Sequence, residues 1–178
     1  MSEAITKLQQ AVNRVQDFPI EGILFEDLTP VLADAQLLTL LLDELVNLVH
    51  AQEITKVVGI ESRGFIFGAA LADRLGLGFV AMRKAGKLPP PVDTISYSLE
   101  YGTATLELSQ GILQTNDKVL LVDDVLATGG TAQAAIELIN KQGASVSQLL
   151  VVIDIGFFAD KGARANWSEL EVYSLWRS

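Results

Sequence analysis

The chain has no cysteine and a single histidine, His50, in 178 residues. That rules out a disulfide framework and thiolate chemistry, and leaves a zinc site without its usual ligands. No apolar run approaches the roughly 18 residues of a membrane span. The longest of note, Gly64 to Ala72, is far too short to cross. The N-terminal residues Met-Ser-Glu-Ala-Ile-Thr-Lys lack the layout of a secretion signal. Positive charge is scarce: 13 Lys and Arg stand against 22 Asp and Glu, a net charge of −9. General nucleic-acid binding needs a basic face, and this balance argues against one. With 49% hydrophobic residues, disorder is excluded as well. The expectation is one soluble, cytoplasmic domain with a proper core and no membrane or nucleic-acid partner. Asn166-Trp167-Ser168 matches a glycosylation sequon, a match that chance supplies often.

The scarce positive charge is gathered. Arg63, Arg74, Arg83, Lys84 and Lys87 fall within residues 63–87, with Asp73 as the one acid among them. A small polyanion is a suitable ligand for such a window.

Periodicity predicts an amphipathic helix over 3–16, with Ile5, Leu8, Val12 and Val15 at helical spacing. Asp34 is placed to cap a second helix from Ala35 to about His50. Lys56 to Ile60 reads as a buried strand, Gly64 to Leu75 as a helix stopped by Gly76, and Gly78 to Met82 as a strand. Lys84 to Val92 reads as a mobile loop and Thr94 to Leu108 as a hairpin. Val119 to Val122 is a predicted strand, Gly129 to Lys141 a helix ending at Gly143, Leu149 to Ile153 a strand, and Leu170 to Leu175 a final strand. Trp167 and Trp176 read as packing residues. This alternation favours an α/β fold, an open and mostly parallel sheet flanked by helices.

The stretch "VDDVLATGGT" (122–131) carries the chemistry. In open α/β sheets, ligands sit at the carboxyl ends of the strands. Asp123 and Asp124 follow Val122 there. The turn Ala127-Thr128-Gly129-Gly130-Thr131 then enters a helix, whose free N–H groups and dipole hold a phosphate. The two carboxylates suit vicinal sugar hydroxyls, or Mg²⁺ through water. A ribose 5-phosphate satisfies both halves. The turn is not a Walker A loop, because it lacks Gly-Lys-Ser/Thr.

That run resembles the phosphoribosyl-pyrophosphate (PRPP) motif of the type I phosphoribosyltransferases. "FPIEGILFEDLTP" (18–30), "GIESRGFIFG" (59–68), "RKAGKLP" (83–89) and "SYSLEYGTATLEL" (96–108) look like the adenine phosphoribosyltransferases within that family, in order and over nearly the whole chain. The resemblance implies a small N-terminal hood over about 1–34, a catalytic core over about 35–178, and a flexible hairpin loop, all in one phosphoribosyltransferase domain. The implied reaction is adenine plus PRPP giving AMP and pyrophosphate, with Mg²⁺, in a homodimer serving purine salvage.

By the same resemblance, Ala127 to Thr131 hold the 5-phosphate and Asp123 and Asp124 the ribose, with Mg²⁺ held through water and PRPP. Ser62, Arg63, Arg83, Lys84 and Lys87 hold pyrophosphate, Arg83 reaching the neighbouring subunit's site. Glu100 is the general acid-base at N7 of adenine, and Tyr101 helps close the loop. Phe25 stacks on adenine opposite Val125, Leu24 and Glu26 offer backbone groups to it, and Arg63 lies near it. The family commonly has Arg where this chain has Glu26. Two alternatives remain: another purine phosphoribosyltransferase, acting on xanthine or hypoxanthine, and a non-catalytic PRPP- or nucleotide-sensing regulator.

Overall fold

The structure, a computed structural model, describes residues 2–18, 21–22, 24–98, 102–167 and 170–178. It divides into two compact units, Met1–Asn47 and Leu48–Ser178.

In the first unit, α1 (Glu3–Ala11) is capped by Ser2, whose hydroxyl accepts from Ile5 N at 3.2 Å. It buries Ile5 and Leu8. The helix predicted over 3–16 stops early. Val12 is extended, and Asn13–Gln16 forms β1, antiparallel to β2 (Leu24–Asp27). Val12 and Val15 lie three apart, a helical spacing that would put them on opposite faces of a strand, so the sequence pattern alone favours the helix. The pairing decides: it sets Arg14 opposite Glu26, with Nε to Oε1 at 3.0 Å, and leaves Val15 37% exposed rather than on a buried stripe. A short helix, α2 (Thr29–Ala33), precedes α3 (Ala35–Asn47). Asp34 is the expected cap, its Oδ1 accepting from Gln36 N at 2.8 Å and Leu37 N at 2.9 Å. Helix α3 packs on α1 and α2 and buries Leu41, Leu42 and Leu45.

The second unit is built on a seven-stranded sheet. Its strands are β3 (Lys56–Ile60), β4 (Gly78–Lys84), β5 (Val92–Ser98), β6 (Thr103–Ser109), β7 (Lys118–Leu126), β8 (Ser145–Asp154) and β9 (Glu171–Arg177). The order is β5-β6-β4-β3-β7-β8-β9. Strands β4, β3, β7, β8 and β9 run parallel, as expected. The hairpin β5–β6 adds antiparallel to β4 through Arg83 and Lys84. Helix α4 (Gly64–Leu75) rests on β3 and β7, and α5 (Gly130–Lys141) packs on β5, β6 and β8. Strand residues buried on both faces follow: Val57, Val58, Leu120 and Leu121 are all fully buried. Gly76 ends α4 in the left-handed region, at φ 66°. Among the described residues, no helix is long and apolar enough to cross a membrane.

One boundary changes the site. Strand β7 was expected to end at Val122 and instead runs to Leu126. Its pairing with β3 does stop at Val122, but β8 continues beside it as far as Leu126 opposite Asp154. Asp123, Asp124 and Val125 therefore stand within a strand, on its one-sided extension, and not in the loop beyond it.

Candidate active site

Where β3 ends, the chain turns through Glu61, Ser62 and Arg63 into α4. Gly64 lets this turn sit tight against β7. A Cβ there would lie 2.6 Å from the Val122 carbonyl oxygen and 3.2 Å from Asp123 Oδ1. The glycine of "ESRG" is thus fixed by packing between two functional segments.

The turn and β7 frame a cleft of about 310 Å³, lined by Glu61, Ser62, Arg63, Lys84, Tyr97, Ala104, Asp123, Asp124 and Thr131. Six residues expected in the site meet there: Ser62, Arg63, Lys84, Asp123, Asp124 and Thr131. Arg63 Nε stands 2.9 Å from Asp124 Oδ2, an ion pair by distance. Oδ2 is buried and, apart from this ion pair, accepts no hydrogen bond among the described residues. Asp123 Oδ1 accepts from Asp124 N at 2.9 Å. Burial raises the Asp123 carboxyl, the Asp124 carboxylate raises it further, and Arg63 offsets this only in part, so Asp123 titrates well above the usual carboxylate range.

Arg83 and Lys87 are gathered by an acid that sequence reasoning passed over. Glu61 Oε2 accepts from Arg83 Nε at 3.2 Å and from Lys84 N at 2.9 Å, and Oε1 pairs with Lys87 Nζ. Burial opposes the charge on Glu61, but the bonds from Lys87, Arg83 and Lys84 N outweigh it and hold the carboxyl at about 2. Glu61 adjoins the basic window in space only because β3 and β4 are neighbours with Ile60 opposite Met82. Tyr97, likewise unforeseen, comes from the hairpin.

The glycine turn takes the expected form. Gly129, at φ 82°, precedes α5, and Gly129 O accepts from Gln133 N at 2.8 Å. Glu100 and Tyr101 lie outside the described residues. Leu24, Phe25 and Glu26 belong to β2 in the first unit: Leu24 is exposed, Phe25 meets Phe18 edge-on at 5.2 Å, and buried Glu26 is paired to Arg14.

A parallel sheet with a carboxylate pair and a glycine turn at its carboxyl end defines a sugar-phosphate-binding class, and the relatives bear this out. Residues 31–174 match the Phosphoribosyl transferase domain. A protein of Nitrosococcus oceani named adenine phosphoribosyltransferase is 47% identical, over 95% of this chain and 97% of its own. A crystal structure of adenine phosphoribosyltransferase from Rhodothermus marinus superposes with a TM-score of 0.89 at 44% identity, covering 98% of each chain. The Saccharomyces cerevisiae enzyme, complexed with an imino-altritol bisphosphate and adenine, superposes with a TM-score of 0.91 at 34% identity, covering 99% of this chain and 100% of that one. The chain belongs to the phosphoribosyltransferase family and, within it, to the adenine phosphoribosyltransferases. Neither the oxopurine alternative nor the regulator is favoured by these relatives.

Proposed function

We propose that this chain transfers the phosphoribosyl group of PRPP to adenine, giving AMP and pyrophosphate. The carrying observation is the cleft where Asp123 and Asp124 face Arg63 and Lys84, with Thr131 of the glycine turn on its wall.

Each group has work that its chemistry fits. The turn Ala127 to Thr131 presents helix N–H groups and two threonine hydroxyls to the 5-phosphate. Asp123 and Asp124 accept hydrogen bonds from the ribose hydroxyls and lie beside the sugar as its C1 gains positive charge. Arg63 and Lys84 neutralise the leaving pyrophosphate and the Ser62 hydroxyl donates to it, with Arg83 and Lys87 brought near by Glu61. Glu100 handles the proton at N7 of the base. Phe25 stacks on adenine while Leu24 and Glu26 read it with backbone atoms. Because the Glu26 side chain is held by Arg14, its departure from the family's usual arginine leaves the backbone reading intact. The hairpin around Tyr101 closes to exclude water that would otherwise hydrolyse PRPP.

The donors fit Mg²⁺. Among the described residues no cluster of three or more His, Cys, Asp or Glu forms a metal cage. Mg²⁺ commonly keeps waters and substrate oxygens and takes only one or two carboxylates. Asp123 and Asp124, the latter with its buried Oδ2 ion-paired to Arg63 and accepting no hydrogen bond among the described residues, would hold it through water and PRPP. Bound there, it would supply charge neutralisation on the leaving group. We place the enzyme in the cytoplasm, as a homodimer.

A pyrophosphate-release assay with PRPP and Mg²⁺ tests the reading. Release is expected with adenine and far less with hypoxanthine or xanthine. Equal release with all three, or none with adenine, overturns it.

A further inference from the structure

The glycine turn Ala127 to Thr131 contains no lysine or arginine. Its grip on a phosphate therefore depends on where its N–H groups point. That orientation has a visible cause outside the turn, in the one-turn helix Gly162–Asn166.

Arg164 lies behind the turn, 9% exposed. Its Nη1 donates to Ala127 O at 3.2 Å, to Ile155 O at 3.4 Å and to Asp154 Oδ1 at 2.6 Å. Next to it, Ala163 N donates to Thr128 O at 3.1 Å. Two successive carbonyls of the turn are thus drawn toward the same segment. In a trans peptide the C=O and the following N–H point in opposite directions. Holding Ala127 O and Thr128 O against residues 163 and 164 turns the N–H groups of Thr128 and Gly129 to the opposite side. The fit is close. A Cβ on Gly129 would lie 2.7 Å from Arg164 Cγ and 2.8 Å from Trp167 Cη2, and one on Gly162 would lie 2.7 Å from Thr128 O. Trp167 Nε1 also donates to Gln133 Oε1 at 2.6 Å, tying the segment to the first turn of α5.

Asp154 anchors Arg164. It is the last residue of β8, 2% exposed, and its second oxygen accepts from Arg177 Nη2 at 3.0 Å. The guanidinium is thereby held by a carboxylate fixed in the sheet, and the same Nη1 that meets this carboxylate reaches the turn.

We propose that Arg164, anchored by Asp154, is a positioning residue that aims the backbone donors of the glycine turn at the 5-phosphate. The proposal rests on the reading of that turn as the 5-phosphate site.

The test compares AMP with adenosine, which differ by that phosphate, by calorimetric titration of the full chain. The parent is expected to bind AMP far more tightly. Arg164→Met is expected to lower AMP affinity roughly 10- to 100-fold, the size of one charge-assisted hydrogen bond, with adenosine affinity within about twofold of the parent. Asp154 keeps Arg177 in this variant, so its charge is not orphaned. Arg164→Lys, which still meets Asp154 but spans fewer acceptors, is expected to recover part of the loss. Where Arg164→Met does not fold, Arg164→Lys carries the test alone, with an expected fall of about 3- to 10-fold for AMP only. Parent-like AMP affinity in the folded variant overturns the positioning role, as does equal loss of AMP and adenosine, the mark of a merely structural residue. A parent that binds AMP no better than adenosine sinks the underlying reading of the turn instead.

Discussion

Single side chains in this cleft act through their neighbours. Asp124 faces Arg63 at 2.9 Å and is one cause of the raised titration of Asp123. Asp124→Asn removes an acceptor for the ribose and for a hydrated cation. We expect kcat/KM for PRPP to fall on the order of 10-fold or more, the size of one hydrogen bond to a charged group. Steady-state kinetics decide it, and an unchanged value for both Asp124→Asn and Asp123→Asn removes the roles given to the pair. Glu61 makes a prediction about pH. Its carboxyl lies at about 2 in the folded chain against an ordinary 4.5, so the folded state favours its ionised form. That contribution is fully present above about 4.5 and is lost as pH falls toward 2. Glu61→Gln should therefore be less stable than the parent at pH 7, with the gap narrowing below about pH 4.5. Urea midpoints of both proteins from pH 7 to pH 3 check it; a gap that stays constant contradicts the ion-pair account.

At the scale of elements, the contact between α4 and β7 makes the cleft. Gly64→Ala would press a methyl group onto the Val122 carbonyl, which is backbone and cannot swing away. A loss of about 1–3 kcal/mol in urea unfolding is expected, the usual cost of overpacking. PRPP use should fall too, since Ser62 and Arg63 lead directly into this helix. Unaltered stability would mean that α4 moves freely on the sheet. The sequence shows this element well: apolar spacing, a leading glycine and the stop at Gly76 all agree, and α4 spans the predicted residues. The glycine turn was equally legible, because its chemistry is local. Strand β1 was not, since its valine spacing of three points to a helix and only the pairing with β2 overrides it. Glu61 and Arg164 escaped for another reason. The site residues they hold, Arg83 for Glu61 and Ala127 for Arg164, lie 22 and 37 residues away and become neighbours only through strand register or an irregular segment without periodicity.

The whole molecule, as proposed, works as a pair. If Arg83 serves the neighbouring subunit's site, complementation follows. Arg83→Ala and Glu100→Gln subunits, each nearly inactive alone, should regain up to about half the activity per active-site pair when mixed into hybrids, since one of two sites is then intact. Activity assays on hybrids separated by differently charged tags check this. Hybrids as inactive as their parents would assign Arg83 to its own subunit, where it already meets Glu61.

Strand β7 outruns its neighbour β3 by four residues, from Asp123 to Leu126, while β8 stays alongside. Part of the sheet's interior therefore has an unpaired edge. Open edges ordinarily recruit other strands and lead to aggregation. Here the edge is recessed behind the Glu61 to Arg63 turn, and one of its amides, that of Asp124, is already taken by the Asp123 carboxylate. The cleft beside it is lined by both signs of charge, Asp123 and Asp124 with Arg63 and Lys84. A small molecule rich in hydroxyl groups finds acceptors. The same interruption that leaves the sheet unpaired there puts carboxylate and backbone acceptors in reach of a small polar solute.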